Sequence, residues 1–202
     1  MERGRISKIM GIKFDFKMRN VLAKILHTQG SLLGGPVVDH QRDEQLRFLE
    51  KVIREVKPLH IVETGTHFAG FDYFVVLIDK SIRIDTFGIN EGSQKAVDIL
   101  NEHFKTDIQF HLGDSVETFT KFTPEYKIDF AWIDGGHTEE ICLIDLYNCA
   151  RLEIGHICCD DYSMARAVRK AVADFLYSYP EYKVQDIDSE IDKRRIIYLK
   201  RG

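Results

Sequence analysis

No CxxC pair, no apolar run of membrane-spanning length, no basic stripe and no internal repeat occur in this 202-residue chain, and each absence removes a class of function. The four cysteines, at 142, 149, 158 and 159, have neither zinc-site spacing nor a disulfide framework, which fits a reducing, cytoplasmic setting. Cys158 and Cys159 sit in an apolar run and read as small buried hydrophobes. A bilayer span needs about 18 consecutive apolar residues, and none is present. The charged start Met1-Glu-Arg-Gly-Arg5 is not followed by a signal-peptide core, so a soluble protein without a membrane partner is expected. The 28 Lys and Arg residues are dispersed in a chain of net charge −4, which leaves nucleic acid without its electrostatic footprint and favours small partners. Lys193-Arg194-Arg195, the longest basic group, precedes the apolar Ile196-Ile-Tyr-Leu199 and reads as strand-flanking charge.

What is present suits one substantial core. An apolar content of 44% in 202 residues implies a single domain, with a helical extension over 1–57 and the main fold over 58–202. In the extension, Met18, Val21, Leu22, Ile25 and Leu26 recur at helical spacing, and so do Leu46, Leu49, Val52, Ile53 and Val56. Between them Gly30-Ser-Leu-Leu-Gly-Gly-Pro36 reads as a lid over a ligand site or as an ordinary connecting loop. From Leu59 onward strands and helices alternate: strands at 59–63, 82–89, 108–112, 128–134 and 156–160, and helices at 70–79, 93–104, 115–122, 138–151 and 163–178. Five such units require a parallel sheet covered on both faces. The tail differs, because Tyr182 to Ile187 and Arg195 to Lys200 are β-rich and too close for a helix between them. They form an antiparallel hairpin at one edge.

In an open sheet of this kind ligands bind beyond the carboxyl ends of the strands, so the residues that follow each strand decide function. The first strand is followed by Glu63-Thr-Gly-Thr-His-Phe-Ala-Gly70, a turn suited to close backbone approach but lacking the GxGxxG of a dinucleotide site. The second ends at Asn90-Glu91, where ribose hydroxyls could find partners, and the third at Gly113-Asp114-Ser115, either an adenine contact or a helix N-cap. Ile128-Asp-Phe-Ala-Trp-Ile133 runs into Asp134-Gly-Gly-His137, and Ile157-Cys-Cys159 runs into Asp160-Asp161. If those strands are neighbours, three carboxylates and an imidazole share a rim, and like charges so close need a cation between them. A hard divalent ion is the simplest remedy. Each residue also has an ordinary reading: Asp134 as a strand-to-turn residue, Asp161 or Ser163 as a helix cap, His137 as cap or packing for the next helix. Histidines 67, 103, 111 and 156 take structural readings.

The runs Ile61-Val-Glu-Thr-Gly-Thr66, Gly88-Ile-Asn90, His111-Leu-Gly-Asp-Ser115, Ala131-Trp-Ile-Asp-Gly-Gly-His137 and Asp160-Asp-Tyr162 together resemble one family, in order and spacing over roughly residues 40 to 200. The chain is similar to class I S-adenosylmethionine-dependent methyltransferases, in the metal-dependent O-methyltransferase branch that includes macrolide-sugar O-methyltransferases. The resemblance implies an α/β, Rossmann-like, doubly wound seven-stranded sheet, mostly parallel with a C-terminal antiparallel hairpin. It implies that Glu63, Gly65, Thr66 and Gly70 hold the methionine part of S-adenosylmethionine, Asn90 or Glu91 the ribose, and Gly113, Asp114 and Ser115 the adenine. Asp134, at the junction with the cofactor, would join Asp160 and Asp161 in binding Mg²⁺, Mn²⁺ or Ca²⁺, and His137 would be the general base. Two positions depart from the family pattern: Asn90 replaces a carboxylate, and Phe71-Asp72 stands where small hydroxyl residues are common. The expected activity is O-methylation of a small polyhydroxylated acceptor, a sugar or glycan, with homo-oligomerisation left open. The rivals are a catechol-type acceptor, a non-catalytic methyltransferase-like module, and a nucleotide-dependent oxidoreductase, which the failed GxGxxG disfavours.

Overall fold

Central strands that are apolar at every position can only be buried on both faces, and Phe130-Ala-Trp-Ile133 is wholly buried. The computed structural model describes residues 43–185 and 195–202. The helix expected around Met18 to Leu26, the glycine-rich segment Gly30 to Pro36 and the acidic turn before Arg195 lie outside the described residues. The elements are α1 (Asp43–Val56), β1 (His60–Thr64), α2 (Gly70–Ile78), β2 (Arg83–Gly88), α3 (Glu91–Phe104), β3 (Ile108–Leu112), α4 (Ser115–Lys121), β4 (Phe130–Ile133), α5 (Glu139–Arg151), β5 (His156–Cys159), α6 (Arg166–Ser178), β6 (Tyr182–Val184) and β7 (Ile197–Arg201).

The seven strands form one sheet in the order β3-β2-β1-β4-β5-β7-β6. The first five pair in parallel, while β7 runs antiparallel to both β5 and β6. This is the expected Rossmann-like architecture, with one detail added: β7 inserts inside β6, beside β5. Side chains alternate between two core layers. Ile61, Phe130 and Trp132 face the layer beneath α1, α2 and α3, where Phe71 stacks on Trp132 at 5.3 Å. Val62, Ala131 and Ile133 face the layer shared with Phe119, Leu146 and Phe175 of α4, α5 and α6. Helix α1 packs Leu46, Leu49, Val52 and Ile53 into the first layer, as its apolar spacing requires.

Strand ends fall within a residue or two of the expected ones. β2 stops at Gly88, and Ile89 beyond it is 79% exposed. α6 begins at Arg166, three residues later than expected, because Asp161 takes a left-handed φ of 55° and its carbonyl accepts from Met164 and Ala165. The order of strands reverses between β1 and β4, and a crevice opens there, past their carboxyl ends.

Candidate active site

The crevice begins with the turn after β1. Gly65 adopts φ 93°, and the amides of Gly65 and Thr66 both donate to the Phe87 carbonyl, at 2.9 and 3.2 Å. A Cβ at Gly65 would strike the Asp134 carbonyl, whose carbon would lie 2.5 Å away. This glycine therefore permits the close crossing of the β1 and β4 ends, which closes the floor of the site. Gly113, with φ 140°, does the same after β3, where a Cβ would come within 2.6 Å of the Thr118 methyl.

These turns enclose a cavity of about 680 Å³, within the range that holds a nucleoside-sized ligand. At one end its wall is Gly65, Thr66, Asn90, Gly113, Asp114 and Ser115. At the other it is Asp134, His137, Asp160, Asp161 and Arg195. Ten of the thirteen residues singled out from the sequence thus meet in one cavity. Asp114 caps a helix, as one of its two readings has it, and Asn90 caps another; both also face the cavity. Asn90 Oδ1 accepts from Gly92 at 2.7 Å, and Asp114 Oδ1 accepts from Val116 at 3.0 Å. That leaves the Asn90 amide NH₂ and the second Asp114 oxygen for a ligand.

Three residues expected at the cofactor, Glu63, Gly70 and Glu91, do not line the cavity. Glu63 is 2% exposed and turned away, accepting from the Thr86 hydroxyl and lying against Asp72. Burial, and then the Asp72 charge, pushes its pKa well up, and burial raises Asp72 as well. Gly70 starts α2 without lining the cavity, and Glu91, the first residue of α3, is exposed outside it. Of Asn90 and Glu91, only Asn90 lines the cavity.

At the acidic rim, Asp161 Oδ2 lies 2.6 Å from His137 Nε2, and Asp161 Oδ1 pairs with the Arg195 guanidinium. Asp160, 8% exposed, accepts from the Gln45 amide at 2.9 Å. Burial pushes the Asp134 carboxyl up strongly, Asp160 and Glu63 add to this, and Arg195 opposes it. Asp160 is likewise raised, by burial against Arg195, Gln45 and His137. The sequence expectation of an ion held by Asp134, Asp160 and Asp161 is not met in this arrangement. Among the described residues no three His, Cys, Asp or Glu side chains converge as a metal cage, because both Asp161 oxygens face other groups and one of Asp160's is taken. Arg195 and Gln45 were not singled out by sequence reasoning. Their signal is topological: β7 had to be placed beside β5, and α1 over the rim, before either could be seen.

Behind the Gly135 turn lies a further buried acid. Asp145 of α5 is fully buried, with neither carboxylate oxygen in a hydrogen bond. Burial pushes it up to about 6; the hydroxyls of Thr64 and Ser115 lie close enough to oppose this without completing a bond. The folded protein therefore keeps a proton over about pH 4 to 6 that the unfolded chain releases, so this group's contribution falls as pH rises through that window. Asp145→Asn should match wild type near pH 4 and exceed it by about 2 kcal/mol at pH 7 in urea unfolding. An equal difference at both values would show that charge burial is not the cause.

Neither a protein-family model nor a curated protein matches this sequence. Solved structures do match. The O-methyltransferase TomG from Streptomyces achromogenes, involved in tomaymycin synthesis and in complex with SAM, shares 14% identity, covering 97% of this chain and 94% of its own, with TM-score 0.68. An O-methyltransferase from Bacillus cereus in complex with SAH shares 14% identity over 97% and 95%, with TM-score 0.64. The SAH-bound Podospora anserina methyltransferase PaMTH1 shares 14% over 91% and 87%, with TM-score 0.65. At such identities the likeness establishes the fold, a Rossmann-like methyltransferase fold across nearly the whole chain.

Proposed function

We propose that this protein transfers a methyl group from S-adenosylmethionine to a hydroxyl oxygen of a small polyhydroxylated acceptor, a sugar being the expected class. One observation carries the reading: an imidazole braced by a carboxylate, His137 on Asp161 at 2.6 Å, shares a cavity with a glycine-turned cradle shaped for a nucleoside. The methyltransferase fold and the SAM- and SAH-bound neighbours support it.

The cofactor, when bound, supplies a methyl group on a positively charged sulfur, electrophilic enough that alignment and proton removal are what remain for the protein. The cradle residues fit that ligand: Asn90 offers donors to ribose hydroxyls and Asp114 an acceptor to the adenine amine, while the carboxylates of the rim suit its cationic sulfonium and ammonium. Because His137 Nε2 faces Asp161, its proton sits there and Nδ1 is the basic nitrogen. With the methyl group supplied by the cofactor, Nδ1 would accept the proton of the acceptor hydroxyl. Asp161 stabilises the imidazolium that results. His137 has 54% of its side chain exposed, so an acceptor can reach it from solvent.

Isothermal calorimetry with S-adenosylhomocysteine should show saturable one-site binding. No heat at millimolar ligand would overturn the reading. Binding without turnover on sugar or catechol panels would favour the non-catalytic module, and turnover on catechols alone would replace the acceptor class.

A further inference from the structure

We propose that Arg195 is the built-in cation of the acidic rim, holding Asp161, and through it His137, in working position without a divalent metal; the inference rests on the methyl-transfer reading above. The rim gathers Asp134, Asp160 and Asp161 at one end of a cavity, with Glu63 close behind Asp134. Carboxylates so close repel one another unless a positive charge stands among them. The structure supplies that charge from the protein. The guanidinium pairs with Asp161 Oδ1, and its charge also acts favourably on Asp134 and Asp160.

Arg195 is anchored from both ends. Its carbonyl accepts from the Tyr162 amide at 2.8 Å while its side chain reaches Asp161, so backbone and side chain grip the same turn. Its own φ is 66°, left-handed like the 55° of Asp161, and the side chain is only 20% exposed. Neighbouring strand β7 pairs with β5, with Ile197 opposite Cys159, which fixes where residue 195 emerges. Asp161 then has one oxygen for Arg195 and the other for His137, and Asp160 has one committed to Gln45. A metal ion could use Asp161 only by expelling a guanidinium that is always charged and forks naturally onto a carboxylate. Arg195 is thus a positioning residue: it acts on the reaction through the Asp161–His137 pair.

The test uses full-length protein stripped with chelator, and titrates Mn²⁺ by calorimetry and electron paramagnetic resonance without cofactor. Wild type should show no saturable binding up to millimolar Mn²⁺. Arg195→Ala, its three rim carboxylates now uncompensated, should gain one Mn²⁺ site at least ten-fold tighter, and Asp161→Asn added to it should remove that site. Arg195→Lys should exclude Mn²⁺ as wild type does. Wild-type turnover should be unchanged by chelation. A wild-type Mn²⁺ site that Asp161→Asn weakens ten-fold, or turnover lost to chelator and restored by Mn²⁺, would overturn the proposal. Circular dichroism reports whether Arg195→Ala folds; if it does not, the wild-type titration decides by itself. Failure to bind S-adenosylhomocysteine would remove the methyl-transfer reading and leave the Mn²⁺ result to stand or fall separately.

Discussion

Gly65→Ala should cost this protein both its ligand site and a large share of its stability. The substitution forces a side chain into φ 93° and drives its Cβ against the Asp134 carbonyl, with the Gly135 amide nitrogen 2.9 Å away. These are backbone atoms of a neighbouring central strand's end, so neither can rotate aside as a side chain would. The left-handed conformation alone costs about 1–2 kcal/mol, and separating the β1 and β4 ends adds to it. A loss of about 3 kcal/mol would lower the melting temperature by about 6–12 °C for a chain of this size. Affinity for S-adenosylhomocysteine should drop at least 100-fold, because the cradle and the rim meet at this crossing. Gly155→Ala is the control, since a Cβ there meets nothing within 4 Å. If Gly65→Ala melts and binds like Gly155→Ala, the tight crossing is not what shapes the site.

His137→Ala should separate chemistry from binding. Removing a positioned general base typically costs about 10²- to 10⁴-fold in rate. The imidazole is largely exposed and not among the buried core residues, so melting temperature and S-adenosylhomocysteine affinity should stay near wild type. Asp161→Asn should retain more activity than His137→Ala, because it disturbs the tautomer and charge of the base while leaving it in place. Turnover by His137→Ala within three-fold of wild type would remove this histidine from the mechanism.

Much of this was legible in one dimension. Strands such as Phe130 to Ile133 announce themselves as unbroken apolar runs, and α1 by its spaced Leu46, Leu49, Val52 and Ile53, because burial dictates both patterns. The turns after the strands were readable for the same reason the site exists: glycines and acids at buried strand ends are costly without a purpose. Contacts between distant segments were not readable. Glu63 looked like a cofactor contact because its position along the chain is right, yet its side chain points below the turn toward Asp72. Arg195 looked like a flanking charge because nothing local says that β7 will lie against β5. Gln45 of α1 and Asp160 after β5 are 115 positions apart, and only packing brings them within 2.9 Å.

The insertion of β7 between β5 and β6 sets an order in time. A growing chain can pair β1 through β5 as they emerge, since each parallel neighbour precedes or closely follows the other, and domains generally form from the N-terminal side during synthesis. β6 emerges with no partner, because the strand it pairs with has not yet been made. When β7 arrives it fills the gap, giving β5 and β6 their shared neighbour and delivering Arg195 to Asp161 in the same motion. Until then the nascent rim carries its acids without the Arg195 counter-charge. Closing the sheet and balancing the charge of the rim are thus a single event.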